Sequence, residues 1–253
     1  MSNVIKGRNM LIGVLLLLFI WQMIVYVGQY EEALLPDPLT VLHSLRNLIE
    51  TGELWIHVKA SLLRFVTGYC IAAILAIFLG VILGRVEKLW AICDPIIQLL
   101  RPVSPVAWSP FIVLWFGIGD MPAIAIIFIA SFFPIILSTV NGIRNVDQHY
   151  LKIAENLEFN KITLFKKVLF PSALPSIVNG LHIAVGTAWV FLVAGEMIGA
   201  QSGLGYLIVD ARNMLDLDDV LAGIIVIGFL GYLLNRLITL LEIAVKKYSG
   251  YLI

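Results

Sequence analysis

Few side chains in this chain have the reactivity or the spacing to form a reaction centre. His43, His57, His149 and His182 are scattered, and none stands beside an obvious nucleophile. There is no HExxH helix for zinc, no GxSxG elbow, no Cys/His metal spacing and no Gly-Lys pair for a phosphate loop. Asp218-Asp219 resembles a carboxylate pair, but neighbours on a helix point in different directions, so a role at a helix start beside a membrane fits better. Cys70 and Cys93 lie in apolar runs and read as buried small hydrophobes. The chemistry left is that of charge among apolar residues: solvating an ion, joining helices or meeting a partner.

Three stretches offer it. Residues 89–119 are apolar but broken, with Asp94, Arg101 and Pro95, Pro102, Pro105 and Pro110. Proline-rich backbone at membrane depth leaves amides and carbonyls unpaired, which is tolerable only against protein or a water-filled cavity. This points to a translocation path; the plainer reading is a kinked helix with Arg101 snorkelling to the interface. The second stretch carries His57, Ser61, Arg64 and Gly68 on one helical face, a polar stripe that faces another helix or water rather than lipid. The third is the polar island 150–171, where Ile153, Leu157, Leu164 and Val168 recur at helical spacing among Lys152, Glu155, Lys161, Lys166 and Lys167. It is too polar to cross a bilayer. It is either a surface helix offered to a soluble partner or an interfacial helix touching lipid headgroups.

The elements that position these stretches follow from composition. The chain has 253 residues, 60% hydrophobic and 13% charged, with mean hydropathy +0.96. Soluble domains carry about 25% charged residues, so lipid is the main solvent here. A formal net charge of zero argues against a nucleic-acid partner. Six apolar spans are expected, at about 10–27, 62–84, 89–116, 121–140, 175–198 and 220–245. The first is too long for a signal peptide's apolar core and lacks a cleavage site, and its Gln22 is placed to bond a neighbouring helix. Pro36-Asp37-Pro38 interrupts any helix before a short amphipathic one at 39–49. Gly80 and Gly84 form a small-xxx-small pair for close helix packing, and His182 reads as a helix-packing residue.

Alternating sides put Lys6, Arg8, Arg85, Lys88, Arg144, Lys152, Lys161, Lys166, Lys167, Lys246 and Lys247 together. Glu31, Glu32, Asp37, Glu50, Glu53, Asp120 and the aspartates from Asp210 to Asp219 share the other side. The positive-inside rule then makes both termini and the island cytoplasmic.

Three motifs resemble those of the membrane permease subunit of bacterial ABC importers, in the branch for nitrate, sulfonates, taurine and bicarbonate. Residues 101–120, RPVSPVAWSPFIVLWFGIGD, are similar to that family's proline-rich span ending in W-F-G-I-G-[ED]. Lys152-Ile153-Ala154, Glu158 and Val168-Leu169-Phe170-Pro171 fall on its cytoplasmic E-A-A, glycine and I-x-L-P positions, though only Ala154 and Pro171 match outright. Gly195-Glu196-Met197-Ile198 and Gly203-Leu204-Gly205-Tyr206-Leu207-Ile208 look like its E-M-I and G-L-G-Y-L-I. Glu158 replaces the family glycine, so the helix either continues there or turns differently.

The resemblance implies an all-α integral membrane protein with the type I ABC importer permease fold, in a bacterial inner membrane. It implies an N-terminal part over 1–56, a permease domain over 57–245 with a coupling segment at 147–171, and a cytoplasmic tail at 246–253. The implied partners are a cytoplasmic ABC ATPase dimer, a second permease copy (identical or related), an extracytoplasmic solute-binding protein and membrane lipid. The binding protein's candidate contacts are the acidic outer loops and 39–49. The subunit itself would be non-catalytic and would hold no cofactor or metal, ATP being used by the ATPase. Ile153, Ala154, Leu157, Glu158, Phe159, Lys161, Leu164 and Pro171 would form the ATPase-coupling surface. Arg101, Ser104, Trp108 and Glu196 would line the path, with an ion pair or cap as the plainer role for Glu196. An ATP-independent secondary transporter or channel is the alternative; it needs no docking helix and often shows inverted repeats, which are not evident. An intramembrane enzyme would need the missing reaction centre.

Overall fold

A computed structural model describes residues 2–28 and 34–248, leaving out the side chains of residues 2–7, 10, 11 and 246–248. Glu31, Glu32, the tail beyond 248 and the side chains of Lys6, Lys246 and Lys247 therefore lie outside the described residues. The described chain is helical, with no strand. Helix α1 is Ser2–Gly28 and α2 is Pro38–Glu50. Pro38 does not block α2 but begins it, since the first turn needs no amide donor. Asp37 is its N-cap, accepting from the Thr40 amide at 2.7 Å. That bond holds the Asp37 carboxyl below the usual carboxylate range, so the cap is charged at neutral pH. Val41, Ser44 and Leu48 of α2 are buried.

Helices α3 (Glu53–Arg85), α6 (Asp120–Arg144) and α9 (Phe170–Gly199) form the core, with α6 packed against both others. Between α3 and α6, the expected third span is two helices, α4 (Glu87–Leu100) and α5 (Ser109–Phe116). A 3₁₀ turn, Pro105–Trp108, introduces α5, and the two arms bend by 89°. The stretch is thus broken, as its prolines led one to expect, and the break is sharp. Pro102 and Pro105 remove backbone donors in succession, so residues 101–104 leave the helix.

The segment after α6 is α7 (Gln148–Asn156), α8 (Lys161–Leu164) and a π turn (Phe165–Leu169) that runs into α9. Lys161–Gly199 is thus one apolar helical run of 39 residues, which contains the expected span at 175–198 and extends it towards the polar island. Pro171 sits in the first turn of α9. The π turn just before it is where the helical hydrogen-bond pattern is re-set around the missing donor. Helices α10 (Leu204–Met214) and α11 (Leu217–Tyr248) complete the chain, with Asp218 and Asp219 in the first turn of α11, as expected.

Among the described residues, four helical runs are long and apolar enough to cross a membrane: Glu53–Arg85, Asp120–Arg144, Lys161–Gly199 and Leu217–Val245. The bent pair is a fifth such unit if counted as one span, and the apolar part of α1, Ile12–Gly28, precedes them. Much of the exposed surface is Leu, Ile, Val and Phe, as lipid solvation requires. For the same reason apolar surroundings in sequence do not guarantee burial. Cys70 is exposed and Cys93 only partly buried, against expectation. Gln22 is exposed, and its neighbour Trp21 makes the tertiary bond, Nε1 donating to the Pro36 carbonyl at 3.2 Å.

The close approach of α3 to α6 depends on small residues. A Cβ added at Gly80 would lie 2.7 Å from Thr139 Cβ and 3.2 Å from the Ile136 carbonyl oxygen; at Gly84 it would meet Ile143 Cβ at 2.8 Å. His182 joins α9 to α11 through Glu242 (2.7 Å) and Asn235 (3.0 Å). Trp189 donates to the Ile227 carbonyl at 3.1 Å and meets Phe65 edge-on at 5.6 Å. Gly80→Val is expected to destabilise the fold by about 1–3 kcal/mol through overpacking. Gly228→Ala, with nothing within 4 Å of the added carbon, is the neutral control. Thermal unfolding of the two variants in detergent checks the contrast.

Candidate functional site

Alternation of the helices gives the bundle two ends. Arg85, Lys88, Arg144 and the α7–α8 segment gather at one, and Asp37, Glu53, Asp120, Asp216, Asp218 and Asp219 at the other. Three features stand out between and at these ends: a polar turn, a groove and a buried charge cluster.

The polar turn joins α7 to α8. Leu157 caps α7, the Glu158 amide donates to the Glu155 carbonyl (2.9 Å) and the Phe159 amide to the Ala154 carbonyl (3.0 Å). This is the Schellman arrangement, which places its turn residue in the left-handed region. That residue is Glu158, with φ +50°. The helix therefore does not continue through Glu158. Glu158 adopts the conformation that glycine adopts freely, at a cost of about 1–2 kcal/mol for a side chain there. Asn160 then starts α8, its side chain accepting from the Thr163 amide at 2.8 Å.

The turn corrects the single greasy face expected along 150–171. It re-sets the helical phase, so residues before and after it no longer share one stripe. Ile153 and Leu157 are exposed, at 55% and 60%, as is Ile162 at 68%, which the helical spacing did not single out. Glu158 and Lys161 are exposed; Phe159, Leu164, Val168 and Pro171 are partly buried, and Ala154 is buried. Phe165 lies under the Arg85 guanidinium, 5.0 Å from ring centre to Cζ, and Phe159 lies 5.7 Å from Lys167 Nζ. The cation over Phe165 fastens the end of α3 to the base of α9.

The groove, of about 540 Å³, lies between α4, α6 and α9. Arg101, Gln98, Ser138, Asn141 and Thr187 supply its polar groups, and Trp90, Phe133 and Phe191 are among its aromatic ones. Among the described residues, no carboxylate lines it and no ion pair engages Arg101. The other expected path residues fall elsewhere. Trp108 borders a separate apolar cavity of about 300 Å³, Ser104 is exposed at the start of the 3₁₀ turn, and Glu196 is 1% exposed.

Glu196 belongs to the buried cluster at the acidic end. It accepts from Arg64 Nη1 (2.8 Å), from Ser61 Oγ (2.7 Å) and from the Gly205 amide (2.9 Å). Arg64, 3% exposed, also donates to Asp120 (2.8 and 2.5 Å), to the Ser202 carbonyl (2.6 Å) and to Ser202 Oγ (2.7 Å). His57 Nδ1 accepts from the Gly203 amide at 3.0 Å, and Ser61 Oγ from the Leu204 amide at 2.8 Å. The Gly119 amide donates to the Gly199 carbonyl at 2.8 Å. The stripe His57-Ser61-Arg64 thus faces other helices, and Glu196 is an ion-pair partner at a helix end. Sequence reasoning named these residues without joining them. The available signal was that Arg64 and Glu196 are opposite charges within apolar helices.

Comparison with known proteins agrees with this architecture. The family described as "Binding-protein-dependent transport system inner membrane component" matches residues 65–247. The chain is 36% identical over 231 residues to the putative aliphatic sulfonates transport permease protein of Bacillus subtilis, covering 91% of this chain and 84% of the relative. It is 35% identical to the taurine transport system permease protein of Escherichia coli over 239 residues, 92% of this chain and 87% of that one. With the nitrate import permease protein of Synechocystis the identity is 34% over 240 residues, 91% and 86% of the two chains. Among solved structures, an inward-facing form of the MetNI methionine ABC transporter aligns with TM-score 0.64 at 18% identity, covering 77% of this chain and 98% of that chain. The fold is that of the type I importer permeases.

The charge cluster generates a stability prediction. Arg64→Ala leaves Glu196 buried without its cation and is expected to cost about 3–5 kcal/mol. The double variant Arg64→Met with Glu196→Leu should recover much of that loss. Thermal unfolding of both proteins in the same detergent is the check, and recovery by the double variant is the diagnostic result.

Proposed function

The chain belongs to the family of binding-protein-dependent transport system inner membrane components, and on that premise we propose that it is the membrane-spanning permease subunit of an ATP-driven importer for a small anion. The observation that carries this reading is the α7–α8 turn. It presents Ile153, Leu157 and Ile162 to solvent on an otherwise polar surface at the basic end. Exposed apolar anchors ringed by charge are what a protein partner's groove takes up. In this reading the turn is cytoplasmic and seats in an ABC ATPase, one of a pair. The ATPases bind and hydrolyse ATP; this chain holds no cofactor and catalyses no reaction itself.

The mechanical link is the helical run Lys161–Gly199. At 1.5 Å per residue it is about 58 Å long, with the proposed docking turn at its foot and Glu196 near its head. A displacement imposed by ATPase closure reaches the acidic end through one continuous element. A solute-binding protein delivers cargo there, against the acidic loops and α2. A second permease copy, identical or related, completes the pore and covers exposed apolar residues of α5 such as Leu114 and Trp115.

Arg101 and its groove are the proposed cargo path. One cation, neutral amide and hydroxyl groups and no carboxylate favour an anion over a cation, because the guanidinium offsets the anion's lost hydration. Glu196 does not oppose this, being occupied in the buried cluster. The names of the sulfonate, taurine and nitrate relatives point to the same cargo class. Both termini on the cytoplasmic side of a bacterial inner membrane is the orientation the charge asymmetry supports.

Leu157→Asp is expected to abolish co-purification of the ATPase and lower coupled uptake by about tenfold or more, with unfolding temperature unchanged, because an apolar anchor is replaced by a charge. Full uptake by that variant refutes the docking assignment. Arg101→Ala is expected to keep the ATPase attached and cut nitrate or taurine uptake into vesicles by about tenfold. Unchanged uptake of both solutes, the nitrate anion and the sulfonate-bearing zwitterion taurine, removes Arg101 from the path.

A further inference from the structure

We infer that the Glu158 carboxylate is the ionic contact by which this turn selects its ATPase: a guanidinium or ammonium group in the partner's groove receives it. The inference rests on the docking reading above and adds to it a residue and a partner chemistry. Three observations carry it. Glu158 holds a left-handed backbone, φ +50°, in which any side chain beyond glycine or asparagine is disfavoured. It follows directly on the C-terminus of α7, where the helix dipole repels negative charge. Among the described residues, no hydrogen bond or ion pair reaches its carboxylate. The neighbouring start of α8 does not compensate, since Asn160 takes the Thr163 amide.

The turn itself therefore gives no reason for a carboxylate. A glycine would make the same two backbone bonds without strain. The side chain's surroundings do give one. Glu158 adjoins Leu157 and lies in sequence between Ile153 and Ile162, all of them exposed, so a partner seated on this turn also meets the acid. In sequence Lys152 precedes it and Lys161, Lys166 and Lys167 follow, all exposed, with the exposed Glu155 one turn earlier on α7. A cation on the partner is attracted at the end of α7 that carries Glu155 and Glu158 and repelled by the lysines of α8 and the π turn, which sets the register of docking and the choice of partner.

The test uses full-length protein in nanodiscs and the ABC ATPase that co-purifies with the wild-type chain. Affinity is measured at low salt for wild type, Glu158→Gln, Glu158→Gly, Glu158→Lys and Leu157→Asp. Glu158→Gln, which keeps the backbone cost and removes the charge, should weaken binding about fivefold to tenfold. Glu158→Gly should lose as much although it relieves the turn, and Glu158→Lys should lose more. The wild-type advantage should shrink below about twofold near 0.5 M salt. Binding of Glu158→Gln within twofold of wild type at low salt overturns the ionic contact, provided Leu157→Asp has lost the ATPase. Retention of the ATPase by Leu157→Asp, or absence of any co-purifying ATPase, overturns the docking reading itself.

Discussion

The fold depends on one constraint: charge buried in a lipid-solvated bundle has to be satisfied from within. Arg64 and Glu196 are both almost fully buried and answer each other at 2.8 Å, and every remaining donor or acceptor direction has a protein group in it. Among the described residues, no buried side-chain nitrogen or oxygen lacks a partner. Breaking such a pair strands an ion, whereas keeping it adds little over an apolar pair. Its value is therefore in specification. It fixes α3, the start of α6, the end of α9 and the loop into α10 in one relative position, and every helix between these points inherits that arrangement.

The same economy of contact runs down the bundle. Where α3 approaches α6, Gly80 and Gly84 leave no room for a side chain, so packing relies on backbone proximity rather than on interlocking large residues. Polar side chains along α6 turn back on their own helix: Ser131 donates to the Ile127 carbonyl and Thr139 to Ile135, at 2.8 and 2.7 Å. Interhelical polar contacts come instead from the acidic end and from α9, where His182 and Trp189 reach α11 and the Leu181 carbonyl accepts from Tyr69 at 2.9 Å. The groove beside Arg101 sits between these fixed points, on the side where α4 breaks away.

Much of this could be read from the residues in order. The apolar runs marked where the long helices form, the prolines from Pro95 to Pro110 announced the break after α4, and the recurrence of His57, Ser61 and Arg64 marked a buried face. What escaped was whatever depends on two distant segments or on one anomalous torsion. Glu196 stands 132 residues from Arg64, and no local pattern pairs them. Ile162 was passed over because a single helical period was extended through Glu158, where the backbone turns. Cys70 was expected inside because apolar neighbours signal burial only when water is the solvent.

The run from Lys161 to Gly199 also behaves as a beam, with consequences for sensitivity. A beam about 58 Å long, pivoting near its middle by about 5°, moves each tip by roughly 2.5 Å. That is most of the length of a hydrogen bond. A rocking motion too small to disturb the packing of α6 against α9 at their midpoint is thus large enough at the tip to open or close the contacts around Glu196. Length alone thus makes the contacts at the rim far more sensitive to a small rotation than the packing at the centre.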